Sequence, residues 1–355
     1  TAVSLVGIGF APEIGAWLHA HVVAHVAPRV ALASATLVWI CTLVVSFHFF
    51  NMVLVNAYNW LLRDVVPLEL TARFLSWFRI VGSVASAGFL YWVFPHLQSH
   101  RKGVFLGVGL FYLVSFLLMC AKVKEGDYPP PPPAGERPGI AGTFALYFRE
   151  CLSIPLYRYF FLAYISMTII GMCSAPFALL FTKTTLGINM SDLGHFFAWT
   201  VILSSVAYVP LGWLCDRFSP IVVAGLSLLG QLVGALCVYF LVHDKATYLA
   251  ASLACSIPAV GWGLSSAAMT MKLFPEEKFG QFSSALNVFG CGALILGNVV
   301  VGNLMDFVHS NYRMIYLWNA FLLLAAIPPL CLVYREWRRH GGPRAYVAPL
   351  PPEAR

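Results

Sequence analysis

The chain has 355 residues, 59% of them hydrophobic and only 10% charged, with a net charge of +7. A soluble domain carries about 25% charged residues, so this composition excludes one and specifies a membrane protein. The basic excess lies between apolar segments and at the C-terminus, a distribution that suits orientation in a lipid bilayer and argues against nucleic acid as a partner.

The nine cysteines occur singly, with no Cys-x-x-Cys spacing, so neither a disulfide framework nor a zinc site is read from them. No charged segment precedes an apolar core with a cleavage site, and the N-terminus at Thr1 reads as cut. The stretch "TAVSLVGIGFA" (1–11) is too short to cross a bilayer and reads as the tail of a helix. "HAHVVAH" follows, with His19, His21 and His25. His21 and His25 have the spacing to share a metal on a helix. No acid or thiol accompanies them, so no metal site is expected.

A helix needs about 20 mostly apolar residues to cross the hydrocarbon layer. Nine stretches qualify: 31–60, 73–94, 103–122, 156–182, 194–214, 220–242, 246–272, 281–304 and 314–334. Alternating strands of barrel length are absent from the pattern. In the first stretch His48 lies near the middle, with Asn51, Asn56 and Asn59 following at near-helical spacing. Such a stripe either borders a solute path or bonds neighbouring helices for packing.

The island "RDVVPLELTARF" (63–74) then places Arg63, Asp64, Glu69 and Arg73 in a water-facing turn. Arg79, about two turns into the next span, could offer its fork of donors to a solute. Pairing with Asp64 or Glu69, to hold a gate shut, is the favoured reading. Next comes "KVKEGDYPPPPPAGERPG" (122–139), a stiff exposed linker, with a proline-rich ligand as the alternative. "TFALYFRECLSIPLYRYF" after it mixes aromatics with Arg149, Glu150 and Arg158, as an interfacial helix would. The expected organisation is therefore a first bundle over 1–122, a linker with interfacial helix over 123–155, a six-helix bundle over 156–340 and a tail over 341–355.

In the second bundle, Trp199 and Trp262 lie inside spans, where they either stack on a sugar face or pack in a core. Asp216 and Arg217 end the span 194–214. Asn287, Asn298 and Asn303 punctuate the span 281–304, whose glycines suit close helix approach; the asparagines are candidates for a solute path. "PLELTARFLSWFRIVGSVA" (67–85) aligns without a gap on "PEEKFGQFSSALNVFGCGA" (275–293), with six identities in nineteen positions. Glu69 meets Glu277, and Arg79 meets Asn287. The copies are six spans apart, as in transporters built from parallel six-helix repeats. With the island placed in the cytoplasm, inner segments hold all basic residues except Arg29, Arg101, Lys102, Lys183, Lys245 and Arg313. That bias puts the C-terminus in the cytoplasm of a multi-pass inner-membrane protein.

The turn 63–74, its counterpart 274–282 and "GWLCDRF" (212–218) resemble the major facilitator superfamily. The last is similar to the family's Gly-x-Leu-x-Asp-Arg motif as it occurs in the second half. The resemblance implies an all-α polytopic fold of two bundles, related by a six-helix pseudo-repeat, that rock around a central site. Of the family's twelve helices, these nine would be the fourth to twelfth. It also implies a charge network, with Asp216 and Arg217, that favours one access state; Asp64, Glu69, Arg73, Arg79 and Glu277 are the further gating candidates. "FPEEKFGQFSSA" and "SNYRMIYLW" (310–318) are similar to sugar-cation symporters of the glycoside-pentoside-hexuronide type, which implies a sugar or glycoside as solute.

No Walker loop, nucleophile elbow or metalloprotease motif occurs, so neither an enzyme nor a cofactor is expected. No carboxylate sits mid-span. A coupling proton would then ride on an acid in preceding helices or on His48 or His195; a sodium ion or plain uniport are the other options. Export of drugs or metabolites by the same fold, and a transporter-like receptor or assembly factor, are the alternative functions. In a background without exposed native cysteines, cysteines at Lys278 and Arg338 are expected to react from the cytoplasm with an impermeant reagent, and one at Lys245 from outside. The reverse pattern would overturn the orientation.

Overall fold

The computed structural model describes residues 1–23, 25, 31–65, 71–123 and 148–350, which are helical with no strand among them. The chain divides into two compact units, 1–131 and 132–355. Among the described residues, eight helices are long and apolar enough to cross a membrane, so the protein is a multi-pass, all-α membrane protein.

In the first unit, α1 (Ala2–Gly9) packs against α5 (Arg101–Lys122) and α3 (Leu32–Val65). The approach is close: a Cβ on Gly109 would meet Val6 at 2.7 Å, and one on Gly9 would meet Phe105 at 2.6 Å. At Phe10 the chain bends by 80° into α2 (Ala11–Leu18), which runs on through a π-helical turn (His19–Val23). This corrects the reading of 1–11 as a plain helix tail. Pro12 fits the first turn of a new helix, where a missing N–H costs nothing. Arg101 fixes the bend by donating Nε to Gly9 O at 3.2 Å, and Glu13 accepts from Lys102 at 2.8 Å. The bent pair counts as one further span by length and composition. The stretch expected at 73–94 is helical throughout, as α4 (Thr71–Gly88) followed by turns at Phe89–Val93 and Phe94–His96.

The second unit begins with a helical turn at 148–153 and α6 (Pro155–Thr168). The span expected at 156–182 is present as one span, Pro155–Thr185, in which α6 widens into a π-helical turn (Ile169–Cys173), bends slightly at Ser174 and continues as α7 (Ala175–Leu180). Pro176 supplies the cause, since it has no N–H for the carbonyl of residue 172. The remaining helices are α8 (Met190–Phe218), α9 (Pro220–Leu241), α10 (Lys245–Leu273), α11 (Phe279–Phe307) and α12 (Met314–Arg339). α9 and α10 match the apolar stretches read from the sequence to within one residue, whereas α8 extends about a turn beyond its stretch at both ends and α12 at its C-terminal end.

The tightest pairing is α9 against α10, and its register is written in small residues. Gly261 faces Ser227, Pro258 faces Gly230, and Cys255 faces Gly234, so the two helices run antiparallel. Lipid gives no hydrophobic push between helices, and close backbone contact replaces it. Near one end, Phe274 packs against Tyr157, Phe160, Phe161 and Phe282 with ring centroids 5.6–6.0 Å apart. The turn that matches the first island is therefore anchored from within by buried Phe274 and Phe282.

The segment after α12 does not trail away. Gly341 (φ 104°) and Gly342 (φ 57°) take left-handed conformations that reverse the chain, and a Cβ on Gly341 would fall 1.9 Å from Ala345 O. Tyr346 then donates to Leu273 O at 2.8 Å, and the Tyr157 hydroxyl lies 3.0 Å from Pro349 O. Burial raises the Tyr346 phenol above its ordinary value.

The seam gives a ranked expectation. A Cβ on Gly230 would press on Pro258 ring carbons at 2.8 and 3.1 Å, which cannot rotate away. One on Gly234 meets the Cys255 thiol at 2.1 Å, but that sulfur can turn. Gly230→Ala is expected to cost about 1–3 kcal/mol as overpacking, and Gly234→Ala less. Unfolding in detergent checks the order; equal losses would remove the fixed-ring argument.

Candidate functional site

The hollow of the second unit lies among α8, α9, α10 and α12. It has a volume of about 520 Å³. α8 contributes Phe196, Phe197, Thr200, Ser204 and Tyr208; α9 brings Gln231, and α10 brings Tyr248, Ser252 and Ser256. Tyr316 and Asn319 arrive from α12. No Asp, Glu, Lys or Arg lines it. The wall is uncharged and mostly apolar, partly aromatic, with hydroxyls and amides set into it at several points.

Several of these groups are already oriented. Tyr316 donates to the Tyr248 hydroxyl at 3.4 Å, which leaves the Tyr248 proton to point elsewhere. Thr200 and Ser256 donate back to their own helix, at Phe196 O (2.9 Å) and Leu253 O (2.7 Å), so their oxygens remain acceptors. Gln231 reaches Pro258 O at 3.5 Å. The Asn319 side-chain oxygen is buried and has no protein hydrogen-bond partner among the described residues. Ser174 Oγ, just before α7, is in the same condition. An unpartnered buried polar atom costs about 1–3 kcal/mol and is worth keeping only where something polar comes to it.

The residues singled out from the sequence lie elsewhere. His48 is exposed on α3, edge-on to Phe47. Asn51 accepts from Tyr112 at 3.0 Å, a bond between α3 and α5 that fits the packing reading of the polar stripe. Glu69 and the side chains of Asn56, Asn59, Arg63, Asp64, Arg73 and Arg79 lie outside the described residues. Trp199 is 62% exposed, whereas Trp262 sits in the main core at 8%. Asn287 and Asn298 are exposed on one face of α11, eleven residues and about three turns apart. Asn298 donates to Leu294 O at 2.8 Å, and Asn303, on another face, donates to Val299 O at 2.8 Å. His195 is half-buried on α8.

Asp216 and Arg217 lie at the end of α8, before a one-residue turn. Ser219 there has φ 93°, a strained conformation for a residue with a side chain, and caps α9 by accepting from Ile221 N at 3.4 Å. The Arg217 guanidinium stacks 4.9 Å over Trp213. Asp216 has no ion-pair partner among the described residues. Glu277 is exposed, but its neighbour Lys278 is engaged: Glu150 accepts from Lys278 Nζ at 3.1 Å and from Gln281 Nε2 at 2.7 Å. This clamp ties the segment before α6 to the start of α11. Sequence reading noted Glu150 and Lys278 only as charges and missed the pairing.

The Gln281 hydrogen bond, then the Lys278 ammonium, hold the Glu150 carboxyl below its usual value. A depressed folded value means the clamp contributes fully above the ordinary carboxylate range and is lost as pH falls through the lowered value. Glu150→Gln is expected to cost about 1–2 kcal/mol near neutral pH, with the gap from the parent protein closing under acid. Thermal midpoints across pH check this; a gap that is flat with pH would mean the charge contributes nothing.

Comparison with known proteins places the chain. The sequence model of the Major Facilitator Superfamily matches residues 159–352. A search of curated proteins found no match. Among solved structures, a bacterial homologue of the iron transporter ferroportin in an outward-facing state is similar at 16% identity and a TM-score of 0.50. That alignment covers 94% of this chain and 83% of the other. A bacterial homologue of the human lysosomal transporter Spinster, inward-facing and occupied, is similar at 14% identity and a TM-score of 0.53. It covers 95% of this chain and 82% of the other. At these identities the likeness shows the fold alone.

Proposed function

Because the chain belongs to the major facilitator superfamily, it is a secondary transporter working by alternating access, and we propose that it carries a small neutral polyhydroxyl solute. Sugars and glycosides are the favoured class. The observation that carries this reading is the uncharged hollow of the second unit, a mostly apolar wall with hydroxyls and amides set into it, which suits a neutral solute that has both apolar faces and hydroxyls. Tyrosine and phenylalanine faces at the same wall suit the C–H faces of a sugar ring. Asn319 is the residue we assign to solute, since its buried oxygen lacks a protein donor. A charged solute would enter this wall without a counter-charge, which is costly in a low-dielectric interior. Within a sugar-cation symporter family, glycosides and pentosides fit better than hexuronides on that ground.

His48, Asn287 and Asn298 are proposed to border the solute's path, and Asp216, Arg217 and Glu277 to act in gating. Apart from Glu13, which lies in the bent pair and is held by Lys102, the described spans have no carboxylate more than about a turn from an end, so a coupled proton would ride on His48, His195 or an acid outside the described residues. The inner membrane with a cytoplasmic C-terminus is the placement that the basic residues support.

The test is uptake into proteoliposomes of a labelled neutral glycoside and of its uronic acid, with and without a proton gradient. The neutral solute is expected to enter, and the uronate to enter at least about tenfold more slowly, a difference of roughly 1.4 kcal/mol. Asn319→Leu should abolish uptake while leaving the thermal midpoint unchanged or higher, because it removes an unpartnered buried oxygen. Preference for the uronate, or normal uptake by Asn319→Leu, would refute the reading. No uptake of any solute would favour the receptor alternative, and release of a preloaded apolar compound would favour export.

A further inference from the structure

A second hollow, of about 750 Å³, opens at the end of the second unit where α8, α10 and α12 terminate and α9 begins. It is lined by Arg217 and Asp216 from α8, Lys272 from α10, Arg338 from α12, and Tyr346 from the folded-back segment. Three cations thus come from three helices to one pocket, against a single carboxylate. None of the three has a carboxylate within ion-pair distance among the described residues. Two are held by aromatic rings instead: Arg217 lies over Trp213, and Arg338 lies 5.8 Å over Tyr334 while donating to its hydroxyl at 3.3 Å. Their guanidinium groups are placed yet keep donors unspent. The N-terminus of α9 adds partial positive charge to the same wall.

We propose that this pocket binds a phosphate-bearing anion, with the headgroup of an acidic phospholipid as its source. The location favours the lipid. The pocket lies level with the ends of the spans Met190–Phe218, Lys245–Leu273 and Met314–Arg339, where headgroups lie. Trp213, Phe218, Tyr334 and Trp337 surround it, as in an interfacial aromatic belt. Basic pockets between helices at this depth suit anionic headgroups. The folded-back segment completes the pocket through Tyr346, so an occupied site would also hold that segment down. The proposal rests on this pocket alone and is independent of the solute reading.

Native mass spectrometry of the full chain tests it, with phosphatidylglycerol, phosphatidylcholine and inorganic phosphate as separate probes. The parent protein is expected to retain phosphatidylglycerol at least about tenfold better than phosphatidylcholine. Lys272→Gln with Arg338→Gln should remove that preference, and Lys272→Arg alone should keep it. Both positions are exposed, so folding is not at stake. Binding of inorganic phosphate with the same dependence on the variants, without lipid retention, would uphold the anion site and make free phosphate its source. Equal retention of the two lipids by the parent protein, or an undiminished preference in the double variant, would overturn the proposal.

Discussion

The second unit depends on how closely α9 and α10 approach. With no hydrophobic drive inside a bilayer, two helices are held by dispersion across their backbones, and only small side chains permit it. Ser227, Gly230 and Gly234 meet Gly261, Pro258 and Cys255 in a single antiparallel register. Those choices have a second consequence. Gly234, Cys255, Ser256 and Gly263 are too small to fill the space beside the seam, and they form one wall of the neutral hollow. Tight contact on one side of the pair and an open volume on the other follow from the same residues.

The hollow has no fixed charge, and its polar groups must be satisfied within low dielectric. Helices manage this by turning hydroxyls onto their own carbonyls, as Thr200 and Ser256 do. Amides have no such local option of the right length in every position, so Gln231 reaches across to α10 and Asn319 keeps an unpartnered oxygen. The π-helical turn before Ser174 follows the same logic in the backbone, where Pro176 removes a donor and the helix widens around the loss. Among the described residues of this unit the buried side-chain atoms left unpartnered are thus Ser174 Oγ, Trp318 Nε1 and Asn319 Oδ1.

The bundle architecture was legible because span length and charge bias are dictated by the bilayer, a constraint each segment obeys independently. The 80° bend at Phe10 was not, since it depends on Arg101 reaching Gly9 from a helix far along the chain. The span over 155–185 was legible as a whole, and the π-helical widening before Ser174 had its signal in Pro176, which a membrane helix accommodates without breaking. For the hollow, the available signal was one amide in each of two apolar helices, Gln231 in α9 and Asn319 in α12. Attention went instead to the asparagines of α11, which are more numerous, and Asn298 and Asn303 bond their own helix. Cavities arise from what several helices leave unfilled together, and no single stretch records that.

The two matching turns show what a sequence repeat can and cannot carry. Both were read as water-facing on the strength of their charges. In the second copy the charges are the outer layer of a turn whose hold is internal. Phe274 and Phe282 are buried among Tyr157, Phe160 and Phe161, and only then does Glu150 reach Lys278 and Gln281. The order matters energetically, because an ion pair near the surface is worth little unless packing has already fixed both partners. Phe74 matches Phe282 in the repeat, but Val66 matches Phe274 and Arg73 matches Gln281, so by sequence only one aromatic residue of this anchor recurs in the first copy. In the second copy a neutral amide and a lysine share one glutamate. An arginine in the amide's place brings a full charge, so the repeat in sequence does not carry the polar half of this anchor with it.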